Sequence, residues 1–308
     1  MAKLIAFMSA RGAARGPGED PGRGLLHGFS IEVMPRTAAK IDSFAELLPR
    51  GTRVYVAHID GTPLEDMVAC AARIAAEGFD VMPHIPARIV PDAAALEDWI
   101  ARYQGEAGVG SALLLGGGLK QPKGAFHSSM QLIETGAFDR AGFSRLHVAG
   151  HPEGNSDIDP QGGERNVMDA LAWKQAFSER TDAAMAIATQ FVFDAAPVVR
   201  WAARLREAGI ALPIHVGVAG PAKLQTLIRF ALACGVGPSV KVLQKRAADV
   251  TKLILPFTPD QVLRDLAAAK AADPALQIEQ VHLFPLGGID KSAEYAGGGG
   301  TARVAATA

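Results

Sequence analysis

Two short apolar runs of this sequence each carry one polar side chain that could take part in acid–base chemistry or bind a ligand. Residues 29–35 hold Glu32 among apolar neighbours, and residues 188–194 hold Gln190 in the same setting. A lone carboxylate or amide on a buried strand is costly unless it meets a partner or a ligand. Both runs end in polar residues and precede a helical pattern, as strands do when they deliver side chains to a site. Glu32 and Gln190 are therefore the leading candidates for site residues.

Composition bounds the class of protein. The chain has 308 residues, of which 49% are hydrophobic and 20% charged, and its formal net charge is −1. These values allow a large core, and without a basic patch or a charge run they give no sign of a nucleic-acid partner. No apolar stretch reaches the ~18 residues of a membrane helix, and no signal-peptide pattern follows residues 3–8. We expect a cytoplasmic protein without nucleic-acid or membrane partners, and a homo-oligomer stays open.

The two cysteines, Cys70 and Cys234, both lie in apolar helical patterns. We expect each to be a buried free thiol. Two cysteines do not make a disulfide scaffold in a chain of this length, and they cannot form a cysteine-rich zinc site.

Between residues 27 and 292 the sequence alternates regularly between two patterns. The β-rich runs are 28–33, 53–57, 80–84, 111–115, 145–149, 184–191, 213–218 and 280–284. The helical patterns are 38–48, 64–77, 93–103, 128–135, 164–178, 196–208, 222–233 and 259–272. Prolines or capping residues mark several helix starts, and Gly78, Gly136 and Gly209 mark helix ends.

Eight strand–helix units predict a parallel sheet closed into a (β/α)8 TIM-type barrel, in one α/β domain. The alternative is an open doubly wound sheet, but no Gly-x-Gly-x-x-Gly follows the first run. We assign residues 1–26 to a partly flexible N-terminal lead, 27–292 to the barrel, which is the catalytic domain, and 293–308 to a flexible tail. Residues 240–255 predict an extra helical segment between the last two strands.

In such a barrel the site lies at the carboxyl ends of the strands. Polar residues collect there in this sequence, which is the pattern of a ligand site. Besides Glu32 and Gln190 they are His58, Asp60, His84, Arg88, Lys120, His151, Glu153, Asn155 and Asp194.

Glu32 allows two interpretations. It is a buried carboxylate paired with an arginine, Arg88 or Arg53, or it is a general acid whose pKa is raised by apolar surroundings. The histidines His58, His84 and His151 also leave alternatives open, since an imidazole can ligate a metal, contact a ligand or simply form a hydrogen bond. No His-x-His or His-Glu-x-x-His pattern is present, so we expect no metal.

Three further features are weaker signals. The triplet Gly116, Gly117 and Gly118 is either a phosphate cradle of exposed amides or a flexible strand-to-helix loop. Lys174 lies in a helical pattern, where it is either a ligand contact or a solvated lysine. Phe230 recurs with Leu227 at helical spacing, which is typical of core packing.

Four segments resemble one known family, in the same order along the chain. Residues 189–194, Thr-Gln-Phe-Val-Phe-Asp, resemble the Thr-Gln-Phe-Phe-Phe-Asp strand of methylenetetrahydrofolate reductases. Residues 30–35, Ser-Ile-Glu-Val-Met-Pro, resemble that family's Phe-Glu-Phe-Phe-Pro-Pro strand. Residues 82–85 resemble its Pro-His-Leu segment, and residues 150–155 its Gly-Tyr-Pro-Glu-Gly-His segment. The resemblance runs from about residue 28 to about residue 290.

The resemblance implies a barrel that holds FAD and reduces 5,10-methylenetetrahydrofolate to 5-methyltetrahydrofolate with NADH or NADPH. It implies that Glu32 is the general acid and that Gln190 contacts the pterin ring, with Phe230 and Leu286 lining the substrate site. The positions that it places near the flavin are His58, His84, Gly116, Gly118, His151, Asn155 and Lys174.

The sequence also departs from that family at three places. Residues 116–118 are Gly-Gly-Gly where the family has Arg-Gly-Asp, Asn155 replaces a histidine, and Gly287-Gly288 replace Asn-Arg. Two other functions therefore stay open. One is a folate-dependent one-carbon enzyme that works in the oxidative direction or without FAD. The other is a folate- or flavin-binding barrel without catalysis.

Overall fold

Eight parallel strands close into a barrel in the computed structural model, which describes residues 22–234, 243 and 256–297. Each strand pairs with the next along the chain, and β8 pairs with β1 through Ser30 and His282. The strands are β1 Ser30–Val33, β2 Arg53–Val56, β3 Asp80–Pro86, β4 Ser111–Leu115, β5 Arg145–Gly150, β6 Ala184–Val192, β7 Ile214–Ala219 and β8 Ile278–Phe284. The predicted (β/α)8 barrel is confirmed, and the open sheet is excluded.

Helices surround the barrel between successive strands. They are α1 Pro35–Ala38, α2 Leu64–Ala76, α3 Ala93–Ala107, α4 Ser129–Glu134, α5 Ala137–Arg140, α6 Arg165–Ser178, α7 Ala195–Glu207, α8 Leu224–Ala233, α9 Asp260–Ala272 and α10 Ile289–Tyr295. Their apolar faces pack against the outer faces of the strands in one large core that includes Trp201, Ile74 and Leu114. This layer of apolar contacts holds the strand ends, and hence the site, in place.

Local chemistry explains where the longer helices begin and end. The Asp92 carboxylate accepts a hydrogen bond from the backbone of Ala95 at 2.8 Å, so it caps α3 at its amino end. Gly108 ends the same helix with φ 63°, a conformation that glycine adopts without strain. Asp194, two residues after the end of β6, caps α7 by accepting a hydrogen bond from the backbone of Ala196. A site strand and its helix are thus joined by only two residues, the second of which caps the helix.

The helix predicted over residues 38–48 is wrong. Only α1 and a 3-10 turn at Phe44–Glu46 form there. The Arg73 guanidinium donates hydrogen bonds to the backbone carbonyls of Ala38 and Asp42, at 3.0 and 3.1 Å. The Glu77 carboxylate accepts from the Phe44 amide at 2.6 Å. Because these side chains of α2 occupy the backbone groups that a helix needs, the segment stays irregular.

The domain ends also differ from the prediction. Leu26 closes a 3-10 turn and is buried, and Ala293 is buried within α10. Tyr295 donates a hydrogen bond to Asp260 on α9 at 2.7 Å. Residues 22–26 and 293–297 therefore pack on the barrel rather than forming part of a lead and a tail. Residues 1–21 and 298–308, and all of the predicted segment 240–255 except buried Leu243, lie outside the described residues.

The two cysteines differ from each other. Cys70 on α2 is buried as predicted, but Cys234 is exposed, which corrects the second expectation. Cys234 follows the last residue of α8, where the buried face of that helix has already ended at Ala231. Among the described residues we find no helix with the length and apolar character to cross a membrane.

Candidate functional site

Glu32 lies on β1, inside the barrel, with 20% of its side chain exposed. Its Oε2 atom is 3.3 Å from Nε2 of His84 on β3 and 3.9 Å from Nε2 of His282 on β8. The other ring nitrogen of His282 lies 2.9 Å from the Ser30 hydroxyl. Barrel closure thus brings the first, third and last strands to one carboxylate.

The alternative of an arginine partner for Glu32 is wrong. Arg53 pairs with Asp80 at 2.7 Å, and Arg88 pairs with Asp157 at 2.6 Å. Both guanidinium groups are therefore engaged elsewhere, and two imidazoles take the place that an arginine was expected to fill.

The expectation of a raised pKa at Glu32 is also wrong. Burial of the carboxylate would raise its pKa, but the facing imidazoles of His282 and His84 outweigh burial and lower it to about 2. Burial in turn lowers the pKa of His282. Both shifts agree with an ionised carboxylate that faces a neutral imidazole N–H, while the Ser30 hydroxyl donates to the second ring nitrogen. Glu32 therefore stays an anion across the physiological pH range.

A second polar group lies deeper in the barrel, and the sequence analysis missed it. The Tyr55 hydroxyl is 2.6 Å from Nδ1 of His147, whose ring centre is 4.7 Å from that of His215. His215 Nε2 is 2.9 Å from Oε2 of Glu279. The Tyr55 ring also packs on His282, with ring centres 4.3 Å apart. An interior that is usually filled by branched apolar residues is here lined by polar rings.

The signal for these residues was present in the sequence. Tyr55, His147, His215 and His282 each stand inside a β-rich run, between apolar neighbours. In a strand, alternate residues point to the same face. A polar residue flanked by buried apolar ones therefore faces the barrel interior, and the same alternation that located Glu32 locates these four.

Gln190 lies near the carboxyl end of β6, half-buried. The pairing of β6 with β7 shifts register between Ala188 and Phe191, so Gln190 stands at an irregularity of the strand. Its Oε1 atom accepts a hydrogen bond from the backbone of Phe191 at 3.1 Å. This bond leaves the amide N–H₂ group to act as a donor toward a ligand.

Phe230 and Leu286 meet in one apolar cluster at the carboxyl-terminal end of the barrel. Its buried members include Phe191, Phe193 and Leu227, and both predicted residues pack against them while staying partly exposed. Core packing, the alternative for Phe230, therefore accounts for part of its surface. The remaining surface is available to a ligand.

His58 follows β2 and is buried against the ring of Trp99, with ring centres 5.1 Å apart. Its Nε2 atom lies 3.0 Å from the Thr62 carbonyl, and burial lowers its pKa. A cavity of about 240 Å³ adjoins it, lined also by Asp60 and Lys123, which pair with each other. His58 thus hydrogen-bonds within its own loop beside this cavity, and its role as a cofactor contact stays a prediction.

The glycine triplet belongs to a segment that Arg88 fastens to β3. The Arg88 guanidinium donates to the carbonyls of Leu119 at 2.7 Å and His127 at 3.1 Å, and its backbone N–H donates to Gly116. Gly117 has φ 93°, and a Cβ there would lie 3.0 Å from the ring of Pro86. Gly116 and Gly118 therefore lie in a loop held close to the barrel, which argues against the interpretation as a free flexible loop.

The predicted cofactor residues His151, Asn155 and Lys174 come together beside the end of β5. The Asn155 amide is 3.4 Å from Nδ1 of His151. Burial, and the charge of Lys174, lower the pKa of His151 to about 4. Lys174 on α6 is buried rather than solvated, and burial lowers its pKa to about 8. Among the described residues it has no hydrogen-bond or ion-pair partner, so it is a buried cation open to an anion.

The described residues hold no group of three or more histidine, cysteine or acidic side chains arranged to bind a metal ion. The site instead combines groups that suit an organic ligand. They are an anionic carboxylate with two imidazoles, an apolar cluster and a buried lysine, all near the ends of parallel strands. Fold and site together define a (β/α)8-barrel protein whose interior is lined by polar side chains, Glu32, Tyr55 and several histidines among them.

No protein-family model matches the chain. Among solved structures, the carboxyl transferase domain from Rhizobium etli pyruvate carboxylase with pyruvate is 12% identical, with a TM-score of 0.38 over 87% of this chain and 55% of that one. The chain thus spans about half the length of that structure. An uncharacterized protein from Clostridium thermocellum that binds two copies of 5-methyl-5,6,7,8-tetrahydrofolic acid is 10% identical, with a TM-score of 0.37 over 89% and 96% of the two chains.

Proposed function

We propose that this protein is a folate-dependent oxidoreductase of the methylenetetrahydrofolate reductase type. One observation carries the proposal: Glu32 lies in the barrel interior beside His84, 3.3 Å away, and each stands in a segment that resembles that family. Of the other two segments that resemble the family, one includes His151, just after β5, and the other includes Gln190, near the end of β6.

Glu32 acts as an anion in this proposal, not as an isolated acid. Opening the ring of 5,10-methylenetetrahydrofolate produces a cationic iminium, which an ionised carboxylate in a partly dry site stabilises. The proton that opens the ring comes from His84, whose Nε2 atom lies 3.3 Å from Glu32, because an imidazole can act as a general acid. The Glu32 carboxylate thus orients the His84 imidazole and stabilises the positive charge that develops on the substrate.

The residues around Lys174 fit a phosphate-bearing cofactor such as FAD. A buried ammonium without a partner among the described residues is unfavourable until an anion neutralises it. Lys174, with His151 and Asn155 beside it, would hold the phosphates, and the loop of residues 116–118 would lie along the cofactor. When bound, a flavin supplies hydride transfer between NADH or NADPH and the folate.

The folate would lie over Glu32, with its polar ring edge toward Gln190. The N–H₂ group of Gln190, for which the described residues show no acceptor, donates to a pterin acceptor. Phe230 and Leu286 contribute apolar surface that excludes water from the reacting atoms. In this proposal Gln190 orients the pterin ring, and Phe230 and Leu286 keep its surroundings apolar.

The test is an NADH- and NADPH-dependent reductase assay with 5,10-methylenetetrahydrofolate, on the parent and on Glu32→Gln, with the absorbance spectrum recorded before and after FAD is added. Glutamine keeps the shape of the side chain and removes its charge. We expect turnover in the parent and a loss on the order of 100-fold or more in the variant. Folate binding without turnover in the parent would instead support a non-catalytic barrel.

A further inference from the structure

Four consecutive strands of the barrel each begin with a polar residue at the amino-terminal mouth, the end opposite to the candidate site. They are Arg53, Asp80, Ser111 and Arg145, the first residues of β2, β3, β4 and β5. Alternate residues of a strand point to the same face, and each of the four lies two residues before a side chain of the barrel interior, such as Tyr55 or His147. The four polar side chains therefore face the barrel axis.

Three of these four side chains satisfy one another or the backbone. Arg53 forms an ion pair with Asp80 at 2.7 Å, and the Ser111 hydroxyl donates to the Val81 carbonyl at 2.9 Å. The guanidinium of Arg145, which is half-buried, has no hydrogen-bond or ion-pair partner among the described residues. Two guanidinium groups thus share one carboxylate, and the positive charge of Arg145 is left without a counterion there.

The charge of Arg145 also acts inside the barrel. Burial is the main cause that lowers the pKa of His147, and the charges of His215, Arg53 and Arg145 lower it further. An arginine stays charged at every physiological pH, so a position two residues from a buried imidazole is unfavourable unless an anion offsets the charge. The described part of the mouth lacks a negative group at this point.

A cavity of about 310 Å³ adjoins Arg145. Its polar wall includes Asp80 and Ser144, and residues 108–110 form another part of the wall. Gly110 has no left-handed φ, and a Cβ at this position would meet no atom within 4 Å. Since neither backbone strain nor packing calls for glycine there, the missing side chain leaves the backbone open to the cavity.

We propose that this cavity is a second ligand site, in which Arg145 binds a small organic acid. A carboxylate or a phosphate matches the two parallel N–H groups of a guanidinium. Asp80 lies in the same wall with 41% of its side chain exposed, so it accepts a hydrogen bond from a hydroxyl or ammonium group of the ligand. The volume is at the low end for ligand cavities, which favours a small metabolite over a dinucleotide. The ligand class is therefore a small hydroxy or amino acid, or a small hydroxylated phosphate ester.

This second site is separate from the candidate active site. Strand β5 runs from Arg145 to Gly150, and His151 lies beyond its other end. About 20 Å of extended strand therefore separates Arg145 from His151. A ligand at Arg145 does not compete with a folate or a flavin, and the inference holds whether or not the proposed function does.

The experiment follows the backbone amides of the full chain by nitrogen-15 NMR while malate, succinate or glycerol 3-phosphate is added. Malate and succinate differ by one hydroxyl, and glycerol 3-phosphate offers a phosphate in place of a carboxylate. We expect malate or glycerol 3-phosphate to shift the amides of residues 108–111 and 144–145 in a saturable way, and the one that binds more tightly identifies the acid. Succinate should bind more weakly than malate, because it has no hydroxyl for Asp80.

Two variants and a control test the role of Arg145. Arg145→Met should weaken binding by about tenfold or more, because it removes the charge and the paired N–H donors. Arg145→Lys keeps the charge and a similar length, so it tests the paired donors in a chain that keeps its charge balance, and we expect weaker binding there too. The matched control Arg50→Met, an exposed arginine three residues before β2, should leave the affinity unchanged.

The site is overturned if neither malate nor glycerol 3-phosphate gives saturable shifts at residues 108–111 and 144–145. It is also overturned if these shifts persist at the same concentrations in Arg145→Met. Shifts confined to residues 151–155 would place the anion beside Lys174 instead, and equal binding of malate and succinate would contradict the role of Asp80. None of these results depends on reductase activity, so the second site and the proposed function fail separately.

Discussion

At the scale of single residues, the protonation state of each buried charged group depends on whether it has a partner. Glu32 is buried but faces His84 and His282, so it stays ionised. Lys174 is equally secluded and has no such partner among the described residues, so burial alone lowers its pKa to about 8. The fold itself stabilises the charge of Glu32, whereas no described side chain does so for Lys174.

We expect Lys174→Met to stabilise the protein without ligand by roughly 3 kcal/mol near neutral pH. The pKa of Lys174 is lower in the folded chain than its ordinary 10.5, so folding is penalised fully below about pH 8. The penalty disappears as pH rises through 10.5, and methionine never carries it. Urea unfolding at neutral and alkaline pH measures both effects, with exposed Lys40→Met as the control. A destabilised Lys174→Met protein would show that the ammonium already has a partner.

At the scale of elements, the loop after β4 is positioned from β3 rather than by its own sequence. The Arg88 guanidinium donates hydrogen bonds to the carbonyls of Leu119 and His127 and forms an ion pair with the carboxylate of Asp157. Gly117 allows the close approach to Pro86 that this arrangement needs. One side chain therefore fixes the loop of residues 116–118 and the segment after β5 together.

We expect Arg88→Met to destabilise the protein by about 1–3 kcal/mol, because three charge-assisted hydrogen bonds are lost and methionine keeps most of the apolar stem. Backbone amides of residues 116–127 should exchange faster with solvent, while those of α7 should not. Hydrogen exchange read by mass spectrometry resolves the two regions. Exposed Arg50→Met is the control. Equal protection of residues 116–127 in Arg88→Met and the parent would mean that other contacts hold the loop.

At the scale of the whole molecule, barrel closure buries several histidines in neutral form. His147, His215 and His282 line the interior, His151 lies beside it, and burial lowers the pKa of each. Three strands, β5, β7 and β8, supply the interior histidines, so their burial and neutrality exist only while the barrel is closed. Protonation in the unfolded chain therefore opposes folding.

Stability should fall steeply below about pH 6.5. An unfolded histidine binds a proton near 6.5, whereas the folded chain binds it only at about 4 for His151 and His215. The folded state thus takes up fewer protons, and stability is lost as pH falls, by about 1 kcal/mol per histidine per pH unit. Glu32 adds to the loss below pH 4.5. Urea unfolding between pH 5 and 7 measures the slope, which exposed His27→Gln should not alter. A flat profile would contradict buried neutral histidines.

The barrel itself was predictable because each strand and each long helix carries its own signal. The β4 run was predicted with the bounds that the structure gives. The start of α3 after Asp92 was also predicted, whereas the helix runs to Ala107 and not to residue 103 as predicted. The structure of residues 38–48 was not predictable, since it depends on Arg73 and Glu77 about thirty residues away. Local patterns hold where local contacts decide the structure.

The site was predictable in position but not in electrostatics. The alternation of β1 places Glu32 inside the barrel, yet the sign of its pKa shift depends on His282, which only closure of β8 against β1 brings near. The interior histidines were not predicted, because they lie within the strands, and the predicted site residues were chosen at the strand ends. Long-range partners, rather than residue type, decide what a buried carboxylate does.

Reductase turnover by the parent chain and by Glu32→Gln, with 5,10-methylenetetrahydrofolate, FAD and NADH or NADPH, tests the central claim most directly. We expect the parent to form 5-methyltetrahydrofolate and the variant to lose on the order of 100-fold in rate while staying folded. Product formation by Glu32→Gln within a few-fold of the parent would contradict the role of this carboxylate. An inactive parent that binds neither folate nor flavin would contradict the proposed function.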